Sequence, residues 1–204
     1  MYRVIKRILD FVLALIATIL LSPLFLVLMV LIKADSKGPI LFKQKRVGIH
    51  KSHFMIYKFR TMRTDTPKDM PTHMLADPEK FITKVGRFLR KTSLDELPQL
   101  LNIIKGDMAI VGPRPALWNQ YDLIEERDKY KANDVLPGLT GWAQINGRDE
   151  LEIPVKAALD GEYVAKMGLI MDIRCILGTV TSVLKHEGVV EGGTGELHKR
   201  EHNQ

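Results

Sequence analysis

Residues 11–32 carry no charge, and nearly all of these 22 side chains are aliphatic or aromatic. That is about the length a helix needs to cross a bilayer. Ser22-Pro23 falls near the middle, where a proline removes a backbone hydrogen bond and kinks the helix. Each half then spans only about ten to twelve residues, too few to cross alone. Basic residues flank both ends, with Arg3, Lys6 and Arg7 before and Lys33 and Lys37 after. Positive charge marks the cytoplasmic side, so matching marks predict a re-entrant helix, break and helix. A kinked single crossing is the open alternative, since membrane helices tolerate proline. A cleavable signal peptide fits poorly, because no small-residue cleavage site precedes Lys33.

Beyond Gly38-Pro39 the pattern shortens. Residues 40–47 and 54–59 read as two strands around a turn at 48–52. Three prolines among residues 64–78 mark a surface loop. Phe81, Val85, Phe88 and Leu89 recur at helical spacing and predict an amphipathic helix over 78–91. A further helix is predicted from about 95 to 105, stopped by Gly106, and a short apolar strand over 108–111. A charged helix over 116–131, a glycine-rich loop over 137–148 and a helix over 154–166 follow. The last helix, 169–186, carries Ile170, Ile173, Leu177, Val180 and Leu184 on one stripe. The charged, glycine-rich tail from residue 188 is expected to be flexible.

These elements predict an α+β chain, mostly helical, with a small β-hairpin or sheet. The expected division is a membrane helix-break-helix over 1–37, a cytoplasmic catalytic domain over 38–187 and a flexible tail over 188–204. A length of 204 residues suits one mid-sized domain. With 46% hydrophobic and 26% charged residues, the chain is neither disordered nor low-complexity. The single cysteine, Cys175, excludes a disulfide framework and a cysteine-rich zinc site and is expected to pack.

The net charge of +6 hides an asymmetry. Twelve of the 30 Lys and Arg, but only two of the 24 Asp and Glu, precede residue 64. A cationic first third can meet nucleic acid, anionic lipid or a phosphorylated substrate. Nucleic acid is disfavoured, because that region lacks a recognisable binding motif and adjoins a membrane segment.

Ser93-Leu94-Asp95-Glu96-Leu97-Pro98 is the most informative stretch. Read plainly, Ser93 and Glu96 form an S-x-x-E capping box at a helix start. Pro98 weakens that reading: with Ser93 as cap it would delete an intrahelical bond, whereas with Asp95 as cap it falls among amides that need no partner. An adjacent carboxylate pair can also supply a nucleophile and an oxygen ligand for a hard cation such as Mg²⁺. Cations suited to phosphate surround it in sequence: Lys58, Arg60, Arg90 and Arg114, the last held between two prolines. Each could equally be an ordinary solvated or ion-paired side chain. The loop over 137–148, ending in Arg148, has glycines where backbone must approach something closely; a ligand or a turn packing Trp142 would each explain it. It is neither a Walker loop nor a dinucleotide fingerprint.

Taken together these motifs resemble the bacterial sugar transferase family, the monotopic phosphoglycosyl transferases in their short form. The residues that carry the resemblance are the basic start with Ser22-Pro23, Phe42 to Gly48, Lys58 to Met62, Arg90 to Asn102, Gly106-Asp107-Met108, Val111 to Pro115 and Pro137 to Gly141. The resemblance implies a re-entrant membrane helix with both ends in the cytoplasm, at the inner membrane. It implies that Asp95 is the nucleophile and Glu96, with Asp95, a Mg²⁺ ligand. The implied reaction passes a sugar 1-phosphate from a UDP-sugar to polyprenyl (undecaprenyl) phosphate through a phosphosugar-aspartyl enzyme, releasing UMP and starting a polysaccharide or glycan. Lys58, Arg60, Arg90, Arg114 and Arg148 would bind substrate phosphates, and Asp160 and Asp172 resemble two further family acids. Membrane lipid is an expected partner, and later glycosyltransferases would take up the product. The rival reading is a non-catalytic, membrane-tethered scaffold with a basic lipid-binding surface.

Overall fold

The computed structural model describes residues 2–66, 78–147 and 151–185. Most of the predicted 64–78 loop, Arg148, the side chain of Leu184 and the predicted tail lie outside the described residues.

The chain opens with α1 (Tyr2–Leu20) and α2 (Ser22–Asp35), bent by 62° at the break. Pro23 sits in the first turn of α2, where its missing N–H costs nothing, and the Ser22 hydroxyl donates back to Ile19 O. The break is therefore where the sequence predicts it. No single helix among the described residues is long and apolar enough to cross a membrane, while the bent pair together is. The helix begins well before the uncharged segment, so Lys6, Arg7 and Asp10 ride on α1.

Strands β1 (Leu41–Val47) and β2 (His53–Phe59) form an antiparallel hairpin in the register Gln44 opposite Ile56. Helix α3 (Lys84–Lys91) is shorter than the 78–91 predicted. Ile82 is taken by a bridge to Met62, and Thr83 caps the helix by accepting from Gly86 N. Helix α4 spans Gln99–Lys105, not 95–105. It is followed by β3 (Ala109–Val111), α5 (Tyr121–Asp128), β4 (Gly138–Thr140), α6 (Trp142–Ile145), α7 (Ile153–Ala165) and α8 (Leu169–Lys185). The charged helix thus starts at Tyr121, five residues later than expected, after Pro113 and Pro115 have held the chain extended.

The glycine-rich loop is a correction. It contains β4, which pairs in parallel with β3, and then α6. A Cβ on Gly138 would stand 2.1 Å from Gly112 N, and one on Gly141 2.1 Å from Gly112 O. The glycines therefore let two backbones touch, Gly112 N donating to Thr140 O and Gly138 N to Pro113 O. Trp142 does pack here, its indole N–H on Glu162.

The first two helices share the protein's core. Ala14 is buried with Ile56, Leu100, Ile103 and Met108, and Leu28 and Ile32 with Phe59 and Leu89. Burying each such large aliphatic side chain contributes about 1.5–3 kcal/mol. The opposite sides of both helices are apolar and exposed, from Ile5, Ile8 and Val12 to Leu26, Val27 and Val30.

Candidate active site

The two carboxylates are set by an unusual turn. Ser93 ends α3 in the left-handed region at φ 55°, its N–H on Arg90 O. It is the residue after the α3 C-cap, a position usually given to Gly or Asn. Neither Ser93 nor Asp95 caps α4: residues Leu94–Glu96 form a single 3₁₀ turn, and Pro98 occupies the N-cap position. The S-x-x-E pattern is thus not a capping box.

Glu96 is buried, and its Oε1 accepts from Lys58 Nζ at 2.7 Å and from Arg114 Nη2 at 2.8 Å. Lys58 comes from β2 and Arg114 from the segment after β3, so two separate sheets converge on one oxygen. Two cations on one oxygen hold the carboxylate in a fixed orientation. Asp95 next to it is half-buried. Burial pushes its carboxyl above the usual carboxylate range, and the neighbouring Glu96 adds to this, while Lys58, Arg90 and Arg114 pull the other way. The expected set of Asp95, Glu96, Lys58, Arg90 and Arg114 is therefore brought together.

Other candidates are placed elsewhere. Arg60 is buried and clamps the C-terminal end of α2, with Nη1 on Lys37 O and Nη2 on Ser36 O, Ser36 Oγ and Ile32 O. Arg60 thus ties the last turn of α2 to the two residues that follow it. It belongs with the end of α2, not with the acid pair. Asp160 is buried against Arg127, which donates through Nε at 2.8 Å and Nη2 at 2.6 Å. Asp172 accepts from Tyr2 and Lys6 of α1 and from Tyr163 of α7. Both acids are tied into the architecture, each with its own donors.

The basic first third is likewise turned inward more than charge counting suggests. Arg7 donates to Ile103 O and Ile104 O at the end of α4, and Arg46 to Pro115 O. Lys43 lies over Tyr57 and Lys45 over Trp118. No sequence signal marks Arg127 or the pairing of Lys6 with Asp172, because partners 33 and 166 residues apart share no local pattern.

A hard cation fits this site in one form. Among the described residues no group of three or more His, Cys, Asp or Glu gathers as a metal cage. Asp95 and Glu96 offer one or two carboxylates, the usual protein share for Mg²⁺ when substrate phosphates supply the remaining oxygens.

A buried carboxylate fixed by lysine and arginine thus stands beside a second carboxylate whose pKa is raised, the makings of a site that handles anionic groups. The whole described chain agrees with that class. Residues 1–186 match the family described as bacterial sugar transferase, and the chain belongs to it. It is 40% identical over 186 residues to the uncharacterized sugar transferase EpsL of Bacillus subtilis, covering 91% of this chain and 90% of that protein. It is 36% identical over 197 residues to the exopolysaccharide production protein ExoY of Sinorhizobium fredii, covering 90% of this chain and 87% of that protein. It is also 40% identical over 187 residues to the UDP-glucose:undecaprenyl-phosphate glucose-1-phosphate transferase of Escherichia coli, covering 87% of this chain and 40% of that longer protein.

Proposed function

We propose that this chain transfers a sugar 1-phosphate from a UDP-sugar to undecaprenyl phosphate and so begins an exopolysaccharide or related glycan. The observation that carries the reading is the double hold of Lys58 and Arg114 on Glu96 beside Asp95. Two anionic substrates must approach an anionic nucleophile, and fixed cations offset that repulsion without reorganising during the reaction.

In this reading an Asp95 carboxylate oxygen attacks the sugar-linked phosphorus of the UDP-sugar. The bond from that phosphorus to the bridging oxygen breaks, and UMP leaves with the electron pair. A phosphate oxygen of the acceptor then attacks the same phosphorus, the aspartyl bond breaks, and the carboxylate is restored in a polyprenyl-diphosphate sugar. The acceptor is already anionic, so the second step needs no base. Mg²⁺ held by Asp95 and Glu96 would supply charge neutralisation at the phosphates. Arg90 and Arg114 orient the phosphates, and Lys58 keeps Glu96 in place.

The bent pair of α1 and α2 supports attachment by entering and leaving one face of the inner membrane, with the site on the cytoplasmic side. Their outward faces are apolar, and no charged side chain interrupts residues 11–32.

The test is UMP release across a panel of UDP-sugars with Mg²⁺ and undecaprenyl phosphate, followed by intact mass of the enzyme mixed with donor alone. The wild type gains the mass of one phosphosugar, and Asp95→Asn gains nothing and releases no UMP. Full activity in Asp95→Asn overturns the nucleophile, and no UMP from any donor overturns the reaction.

A further inference from the structure

A cavity of about 290 Å³ opens beside the acid pair, with Ser93 and Glu96 at one end. Its walls are Leu97, Ile110 of β3, Leu139 of β4, Ile145 of α6, and Ile176 and Val180 of α8. Most of the wall is apolar surface, and its polar side chains besides Ser93 and Glu96 are Thr140, Gln144, Thr179 and Ser182. Thr179 donates its hydroxyl to Cys175 O, so Thr140 donates to Thr179, and both present their methyl groups. Gln144 Nε2 donates to Leu139 O, while its buried Oε1 has no hydrogen-bond partner among the described residues. A nucleotide sugar seated here would leave its hydroxyls and amides poorly paired, at a cost of roughly 1–3 kcal/mol for each buried group. A hydrocarbon chain has nothing to pair.

The mouth of the groove continues onto an apolar surface. Val180 is exposed, and Leu177, Ile173 and Ile170 follow it at three- and four-residue spacing along α8 with 62%, 46% and 71% of their surface open. At the start of that helix Asp172 holds Tyr2 and Lys6 of α1, on which Ile5 and Ile8 are exposed.

We infer that this groove seats the first isoprene units of the polyprenyl phosphate acceptor, with its phosphate at Asp95 and its tail leaving past Val180 onto the exposed apolar stripe of α8. The inference rests on the acceptor named in the proposed function. It makes α8 an acceptor-recognition element and assigns chain recognition to Ile145, Ile176 and Val180.

The experiment uses the full chain in detergent micelles and a UDP-sugar that supports UMP release. Farnesyl phosphate and isopentenyl phosphate are compared as competitors of undecaprenyl phosphate. Val180→Trp and Ile145→Trp narrow the groove while keeping it apolar, and Val180 is exposed enough for the fold to tolerate the change. Each is expected to raise the acceptor KM about tenfold and to shrink the preference for farnesyl over isopentenyl phosphate about as much, with the donor KM within about twofold. Ile170→Asp, on the same stripe outside the groove, is expected to keep that preference. Unchanged acceptor KM and preference in both tryptophan variants overturn the inference. So does a rise in donor KM alone, which would make the groove a nucleotide-sugar seat, or loss of the preference in Ile170→Asp, which would make it a matter of general attachment. A wild type that releases no UMP from any donor instead overturns the proposed function.

Discussion

Lys6 Nζ lies 2.6 Å from Asp172 Oδ2, joining the start of the first helix to the start of the last. The same oxygen accepts from Tyr2 at 2.7 Å, and Asp172 Oδ1 lies 2.8 Å from the Tyr163 hydroxyl. That hydroxyl is also 3.0 Å from Val111 O, three residues before Arg114. Burial and Asp172 push Tyr163 far above the ordinary tyrosine range, so it stays a donor. One carboxylate thus links α1 to the strand that delivers the arginine of the site. Asp172→Ala leaves Lys6 buried without its main partner and is expected to cost about 3–5 kcal/mol, the range for breaking a buried pair. Asp172→Asn, which can still accept hydrogen bonds, should cost less. Denaturant titration in detergent reads both, and equal losses in the two variants would show that the charge alone, not the hydrogen bonds, carries the link.

Arg127 and Asp160 predict a loss of the same kind between α5 and α7. Two guanidinium donors, Nε and Nη2, meet the one oxygen Oδ2, and the contact is almost wholly buried, with side chains 4% and 1% exposed. Asp160→Ala strands a guanidinium and should cost about 3–5 kcal/mol. Arg127→Lys keeps the charge but loses the planar fork, so it should fall between wild type and Asp160→Ala. If Arg127→Lys is as stable as wild type in urea titration, the fork contributes nothing.

The local chemistry of this chain was legible in its sequence to the extent that one residue type in one place has one physical consequence. Pro23 breaks the helix where a proline must, and the alternating hairpin falls in its expected place. Asp95 and Glu96 stand with Lys58, Arg90 and Arg114 as the joined motifs imply. Tertiary demands hid the rest. Thr83 can cap a helix only because Ile82 bridges to Met62, and that pairing shortens α3. Arg60 reads as a phosphate ligand in Lys58-Phe59-Arg60, yet adjacent-but-one strand residues share a face only while both strands continue. The β1–β2 ladder ends at Phe59, and Arg60 turns to the end of α2. The glycines over 138–141 announce close approach without saying what approaches, and Gly112 is the answer.

Ser93 yields a sharper expectation from its left-handed backbone. An L-residue with a Cβ pays about 1–2 kcal/mol in that conformation, and glycine does not. Ser93→Gly should therefore be neutral or mildly stabilising, whereas Ser93→Val, branched at Cβ, should be destabilised and should misplace the Asp95 turn. Thermal unfolding separates the two, and a Val variant as stable as the Gly variant would show that the turn is not held left-handed.

The raised carboxyl of Asp95 has opposite effects on activity and stability. As a nucleophile it must be ionised, so kcat/KM for the UDP-sugar should fall tenfold per pH unit on the acid side. The midpoint should lie above the ordinary aspartate value of about 3.9. Arg90 pulls the carboxyl down, so Arg90→Gln should move that midpoint to higher pH. The linkage to folding runs from the same shift. A folded-state pKa above the unfolded one favours the protonated group in the fold, a contribution fully present below the unfolded pKa and lost as pH rises through the folded value. Asp95→Asn cannot ionise and keeps its hydrogen-bonding shape, so it should be more stable than wild type at neutral pH, with the difference closing as pH falls. Denaturant titrations of both proteins from pH 4 to 8 read the gap directly. A constant gap across that range would mean that Asp95 does not titrate abnormally, and the acid limb of activity would then belong to another group.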